Sequence, residues 1–337
     1  MTDQTTTNLQ LSTQAPIEDF IREPPEEYFY GRNSNNLNAI IHSPKILQRV
    51  GKTNEYRAVS GHVVIIKTNK LEIEEMEIKG LSVPEKQALF TLIELFKQNN
   101  ESRTFYFTVE DYMHIRGLTD KKETKQQMKT LFNSLACYTF ILDDEKEDYQ
   151  DAGAHKIIEW TFENNPIFEV EFGKKFYNDL KKAFSTLYPK KLLTLNTSQE
   201  GVTWELLQLL HSHKRTNPET NTIYTTLSLR TIFNKCHSLP RLENVEKKYY
   251  KRQIINPIQH ALEEEFDRDN IFFIDENKKR IAKDDIPNDL EIIKNLSVQI
   301  KWDNARFPEE KLEQLKIRRA GQKWRNNATK QPRKKAK

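Results

Sequence analysis

The side chains with the most chemistry to offer are the cations between residues 244 and 280. In LSLRTIFNKCHSLPRLENVEKKYYKRQIINPIQHALEEEF, residues 227–266, Tyr250, Ile254, Ile255, Ile258, Ala261, Leu262 and Phe266 recur at helical spacing and mark one buried stripe. Asn244, Lys248, Arg252 and Gln259 then fall on the opposite face, flanked by Lys247 and Lys251. A helix packed on one side and basic on the other can enter a major groove, where Arg or Asn reads base edges and Lys meets phosphate. Pro257 should kink this helix and separate its basic first half from an apolar, acidic second half. Lys278, Lys279 and Arg280 crowd a turn between the strand-like runs IFFID and LSVQIKW, a second basic point. A third lies upstream, where Lys122, Lys125, Gln126 and Lys129 share a helix with an apolar face of Thr124, Met128, Leu131, Phe132 and Leu135. A basic helical face is by itself usually a solvated surface; the order of the surrounding elements has to decide.

Catalytic patterns are weak by comparison. His211 and His213, one residue apart, mimic the metal pair of tyrosine nickases, with Tyr249 or Tyr250 as nucleophile. Ser212 between them is polar, however, and residues i and i+2 of a helix end do not share a face. No GxxxxGK[ST], CxxC, HExxH or GxSxG occurs in the chain. Cys137 and Cys236 are too few for a disulfide framework or a zinc cage. The expectation is a protein with no catalytic residues, no metal and no cofactor.

The elements that would position the cations can be read in order. Residues 1–35 are polar and punctuated by Pro16, Pro24 and Pro25, as in a disordered arm. SPKIL suggests a short helix, and HVVIIK with alternating Leu71, Ile73 and Ile78 a strand pair. Ser82 and Glu85 form a capping box ahead of a long helix. The strand RTFYF follows, then a helix capped by Thr108 and ended by Gly117, and a third capped by Asp120. CYTFIL and KIIEWTF read as a hairpin around the acidic tip DDEKEDYQD. After a connector, FEVEFGKKFYNDLKKAFSTLYPKKLLTL, the same order recurs about 115 residues on: a helix opened by a Thr197–Glu200 box, a strand at residues 223–226, two helices and two strands. Helix, strand, helix, helix, hairpin is the winged-helix order, in which the third helix reads DNA and the hairpin is the wing.

Charge is divided unevenly. Ten Lys and Arg and no Asp or Glu fall within residues 316–337; against a net +4 for all 337 residues, this leaves residues 1–315 at −6. A mildly acidic body must bind nucleic acid through local patches, while the tail can hold phosphate without sequence preference. With 30 % charged residues, no apolar run near the ~20 needed for a membrane span and no secretory signal, the expected setting is the cytoplasm.

The arrangement resembles plasmid replication initiators of the iteron-binding type, built from two winged helices in tandem. The resemblance is carried by LSVPEKQALFTLIELF, FTVEDYMHIRGL with its following helix, FYNDLKKAFSTLYPKKLLTL, and LSLRTIFNKCHSLP with KKYYKRQIINPIQHALEE, about two thirds of the chain. It implies an α+β protein of two tandem winged-helix domains joined by a helical connector. The divisions would be a disordered arm at 1–35, an N-terminal domain with its strand pair at 36–167, connector and C-terminal domain at 168–303, and a short helix with basic tail at 304–337. It also implies sequence-specific binding of repeated origin sites in double-stranded DNA, host replication proteins as partners, and homodimerisation through the first domain. The N-terminal extension and the tail depart from the compact family pattern. A winged-helix transcriptional regulator and a tandem winged-helix protein scaffold remain alternatives, the scaffold favoured by the acidic body and acidic first tip.

Overall fold

The computed structural model describes residues 27–302, apart from residues 45 and 241 and segments 61–62, 69–79, 143–154, 163–165, 218–221 and 283–284. Most of the expected arm, Leu71, Ile73, Ile78, the acidic tip at 143–151, and the final helix and basic tail lie outside the described residues.

The chain opens with β1 (Tyr28–Asn33), α1 (Asn35–Ile41), β2 (Gln48–Arg49), β3 (Glu55–Ser60) and β4 (Val63–Thr68). The first repeat comprises α2 (Val83–Gln98), β5 (Thr104–Thr108), α3 (Val109–Arg116), α4 (Lys121–Ala136), β6 (Tyr138–Leu142), β7 (His155–Lys156), β8 (Ile158–Phe162) and β9 (Ile167–Phe172). A link of α5 (Lys174–Lys182), β10 (Phe184–Pro189) and α6 (Lys191–Thr194) leads to the second repeat. That repeat holds α7 (Gly201–Ser212), β11 (Arg215–Asn217), β12 (Thr222–Ser228), α8 (Leu229–Lys235), α9 (Asn256–Glu263), β13 (Ile271–Ile274), β14 (Arg280–Ile281), α10 (Leu290–Asn295) and β15 (Ser297–Trp302).

Local chemistry sets the helix boundaries of the first repeat. Ser82 Oγ accepts from the Glu85 N–H while the Glu85 carboxylate accepts from the Ser82 N–H, and Thr108 and Asp111 exchange the same two bonds at α3. Gly117, at φ +63°, ends α3 in a left-handed conformation that suits glycine. Asp120 then caps α4 by accepting from the Glu123 N–H at 2.8 Å. At α7 the expected Thr197–Glu200 box does not form: the helix starts at Gly201, and the Glu200 carboxylate turns back to the Asn196 N–H.

Both repeats fold their strands alike. In the first, an antiparallel sheet runs β5-β9-β8, with the last strand in the middle; in the second, β12-β15-β13 repeats that order inside a five-stranded sheet flanked by β11 and β14. Helices cover one face of each sheet. Phe107 of β5 stacks on its register partner Phe168 of β9, centroids 5.8 Å apart, and Phe132 of α4 meets Phe168 edge-on. Leu227, Val298, Ile300 and Phe273 form the matching inner face of the second sheet, under Leu206, Ile232, Ile254 and Ile258.

Four expectations need correction. CYTFIL and KIIEWTF do not form one hairpin: among the described residues β6 joins β4 on one side and His155–Lys156 on the other, in a separate sheet ordered β2-β3-β4-β6-β7. The chain leaves that sheet at Ile157, and Ile158–Phe162 pairs instead with Ile167–Phe172, the strand expected to begin the connector. Strand periodicity shows which face is buried but not which neighbour it pairs with. Second, residues 28–33 are not arm: β1 pairs with β10 along its whole length. Third, SPKIL is not helical; the helix precedes it, capped by Ser34. Fourth, the ENKKR turn joins β13 to the two-residue β14, and the chain passes through α10 before returning as β15.

The repeats meet through their first helices. Phe90 of α2 packs edge-on against Trp204 of α7 at 5.5 Å, and the Trp204 indole donates to the Leu192 carbonyl in the link at 2.7 Å. The Gln87 amide donates to the carbonyls of Leu192 and Leu195, each at 3.0 Å. Among the described residues no helix is long and apolar enough to cross a membrane.

Candidate nucleic-acid interface

The stripe read in the second repeat is buried from Tyr250 to Leu262: Ile254, Ile255, Ile258 and Leu262 are fully enclosed, Ala261 and Tyr250 nearly so, and the half-buried Phe266 packs beside them. Lys247, Lys248 and Arg252 are exposed on the other side, with Lys251 and Gln259 half-buried. The backbone that carries them is not one kinked α-helix. Asn244 sits in a separate 3₁₀ turn, Leu242–Asn244, and Lys247–Tyr249 forms another. Lys251–Ile255 is a π turn, in which the Asn256 N–H reaches the Lys251 carbonyl five residues back. The widened turn directly precedes Pro257, in the first turn of α9, which has no N–H to give and would crowd a carbonyl four residues earlier.

Tyr249 organises the cations. The Lys248 ammonium and the Arg252 guanidinium both stand 4.8 Å from its ring centre, so one half-buried ring holds two exposed cations. Lys248 is also paired with Glu246 at 2.9 Å, and Lys247 lies 3.7 Å from Asp289. Periodicity missed Tyr249 because it falls outside the apolar stripe; its signal was an aromatic beside Lys248 and three residues ahead of Arg252.

The basic turn is well defined. Lys279 donates its N–H to the Asp275 carboxylate at 2.8 Å, Lys278 takes a left-handed φ of +63°, and Lys278, Lys279 and Arg280 are all exposed. The Arg280 guanidinium carbon stands over Phe272, 3.6 Å from the ring centre. Between this hairpin and α9 runs a groove of about 630 Å³, walled by Gln259, Glu263, Arg268, Phe272 and Arg280. Arg268, Glu263 and Phe272 were not singled out from sequence; they become neighbours only once β13 returns beneath α9.

In the first repeat Lys122 and Gln126 are exposed on α4, whereas Lys125 and Lys129 turn toward the β8–β9 hairpin. Their ammonium groups stand 4.4 and 4.7 Å from the centre of the Phe162 ring. The four residues are thus split, two facing outward and two tied to the end of β8.

The histidine pair is used structurally. His211 is fully buried with Nδ1 2.9 Å from the Leu187 carbonyl, and burial holds its pKa well below 6.5. His213 Nδ1 lies 2.8 Å from the Leu209 carbonyl, on a different bonding path. Among the described residues no group of three or more His, Cys, Asp or Glu is placed to hold a metal ion.

No protein-family model matches the chain, and no curated protein matches it. Among solved structures the chain is similar to a selenomethionine crystal structure of domains 2 and 3 of RctB, with 14 % identity and a TM-score of 0.44, over 80 % of this chain and 98 % of that one. A second structure of RctB domains 2–3 gives 13 % identity and a TM-score of 0.40, over 78 % and 96 % of the two chains.

Proposed function

We propose that the chain is a duplex-DNA-binding protein of two tandem winged helices that initiates plasmid replication by occupying repeated origin sites in the cytoplasm. The observation that supports this reading is a pair of exposed basic groups in the second repeat. Lys247, Lys248 and Arg252 are exposed on the 3₁₀ and π turns that lead into α9, behind which the stripe is packed, and Lys278, Lys279 and Arg280 are exposed on the hairpin, where Arg280 lines the groove beside α9. In that role Arg252 contacts bases, the lysines contact phosphate, and the hairpin follows the backbone. Asn244, exposed in its own turn, is the other candidate for a base contact. Lys122 and Gln126 meet a neighbouring groove about one helical turn away. The protein binds and remodels DNA without catalysis or cofactor, and host replication proteins supply the energy for unwinding.

Selection from a pool of random duplexes at two salt concentrations, with and without residues 316–337, tests this reading. It expects one enriched motif of roughly 15–25 bp, retained without the tail. Binding that needs the tail, falls steeply with salt and enriches no motif would replace it with plain phosphate attraction and favour the scaffold. Support of a plasmid by its cognate origin separates an initiator from a transcriptional regulator.

A further inference from the structure

We infer that Glu263 is a specificity-determining residue: its carboxylate clamps Arg268 and Gln259 at the groove between α9 and the basic hairpin, and so withholds a phosphate contact from DNA of the wrong sequence. This rests on the proposed DNA-binding role. Glu263 Oε1 accepts from the Gln259 amide one turn back, and Oε2 accepts from the Arg268 guanidinium at 3.1 Å. The carboxylate is mostly enclosed, at 22 % exposure, while Arg268 is 81 % exposed and needs only to let go in order to meet a ligand.

Three observations make the clamp more than a surface ion pair. It sits in the wall of the groove, facing Arg280 and Phe272, where a strand passing between helix and hairpin would run. Among the described residues that line the groove it is the one acidic side chain, beside the two arginines Arg268 and Arg280, which makes it the repulsive element toward phosphate there. Holding the Gln259 amide on Glu263 also leaves Gln259 Oε1 buried and without a partner, so the clamped state carries an unsatisfied acceptor that a rearrangement can relieve. The selected duplex, seated by its base contacts, binds with the clamp closed and does not draw on Arg268. The penalty falls on duplexes that lack those contacts and would otherwise lean on an added phosphate contact, and that unequal cost is how a repulsive group yields discrimination.

The test measures binding of the full chain to its selected duplex and to a random duplex across a salt series, for the wild type, Glu263→Gln, Arg268→Ala and the double variant. Glu263→Gln keeps shape and amide bonding but loses the charge. It should tighten random-duplex binding by roughly tenfold and steepen its salt dependence by ~0.9 in log–log slope, one added phosphate contact, while changing the selected duplex by less than about threefold. Adding Arg268→Ala should remove that gain. An unchanged ratio of selected to random binding in Glu263→Gln, or a gain that survives Arg268→Ala, would overturn the clamp while leaving the DNA reading in place. A wild type that selects no duplex would instead defeat the DNA reading.

Discussion

Lys86 on α2 and Glu205 on α7 form an ion pair across the junction of the two repeats, with neither side chain more than 1 % exposed. Glu205 uses its second oxygen to accept from the Ser238 N–H at 2.8 Å, so the pair also ties down the loop after α8. Burial disfavours the Glu205 carboxylate, but Lys86, His237 and the hydrogen bonds outweigh it and hold its pKa below the usual range.

Removing either partner leaves a buried charge alone, so Lys86→Met or Glu205→Leu should each cost about 3–5 kcal/mol, and the double substitution much less than their sum. Urea unfolding of the four proteins measures this; additive losses would show that the pair is not coupled. Because the folded pKa of Glu205 lies below its unfolded value near 4.5, its contribution is complete above that pH and is lost as pH falls through the folded value.

Arg252→Ala should weaken binding to the selected duplex by ~1–3 kcal/mol and relax base preference, whereas Lys248→Ala should weaken all duplexes alike. Tyr249→Leu should lower discrimination in the same direction as Arg252→Ala without changing charge, since it removes the ring that orients the guanidinium. Parallel binding curves on selected and random DNA decide it; equal losses for Arg252→Ala would deny it a base contact.

Two buried histidines set a stability threshold in pH. Burial first, then Lys86 and Lys235 at His42 and Lys214 at His211, hold both imidazoles well below 6.5. The unfolded chain takes up protons near 6.5 and the folded chain does not. Stability is therefore full above that pH and falls below it, by ~1.4 kcal/mol per pH unit for each group. Urea midpoints should fall slightly from pH 7.5 to 6.5, where about half of the unfolded imidazoles are protonated, and further at pH 5.5; a midpoint at pH 5.5 equal to that at pH 7.5 would contradict both assignments.

Gly173, between β9 and α5, lies against β7. A Cβ there would stand 2.0 Å from the Lys156 carbonyl oxygen, a backbone atom with little freedom to move. Gly173→Ala should destabilise by ~1–3 kcal/mol, read as a lower thermal midpoint, and a neutral substitution would mean that β7 can shift.

What was legible in the sequence was mostly local. Caps at Ser82, Thr108 and Asp120 are short-range hydrogen bonds, and the stripe from Tyr250 to Leu262 lies in one short run of helical turns, so each can be read within a few residues. The partners of strands are not local. Nothing around Tyr138 reveals that it will lie beside Lys67, or that Phe29 will lie beside Tyr188, 159 positions away. The interface divided in the same way. Exposure of Lys248 and Arg252 followed from the stripe, while the grouping of Glu263, Arg268 and Arg280 depended on the return of β13 and was invisible beforehand.

The π turn at Lys251–Ile255 carries a geometric consequence. Each residue of an α-helix advances ~100° about the axis, and a turn closed over five residues rather than four inserts one residue without adding a full turn. Side chains before it are therefore rotated by about that angle relative to those on α9, compared with an uninterrupted helix. The angle between Lys248 and Gln259 about the axis is thus set by the π turn, and a chain one residue shorter between Lys251 and Ile255 would rotate the basic half relative to α9 while leaving Ile258 and Leu262 seated.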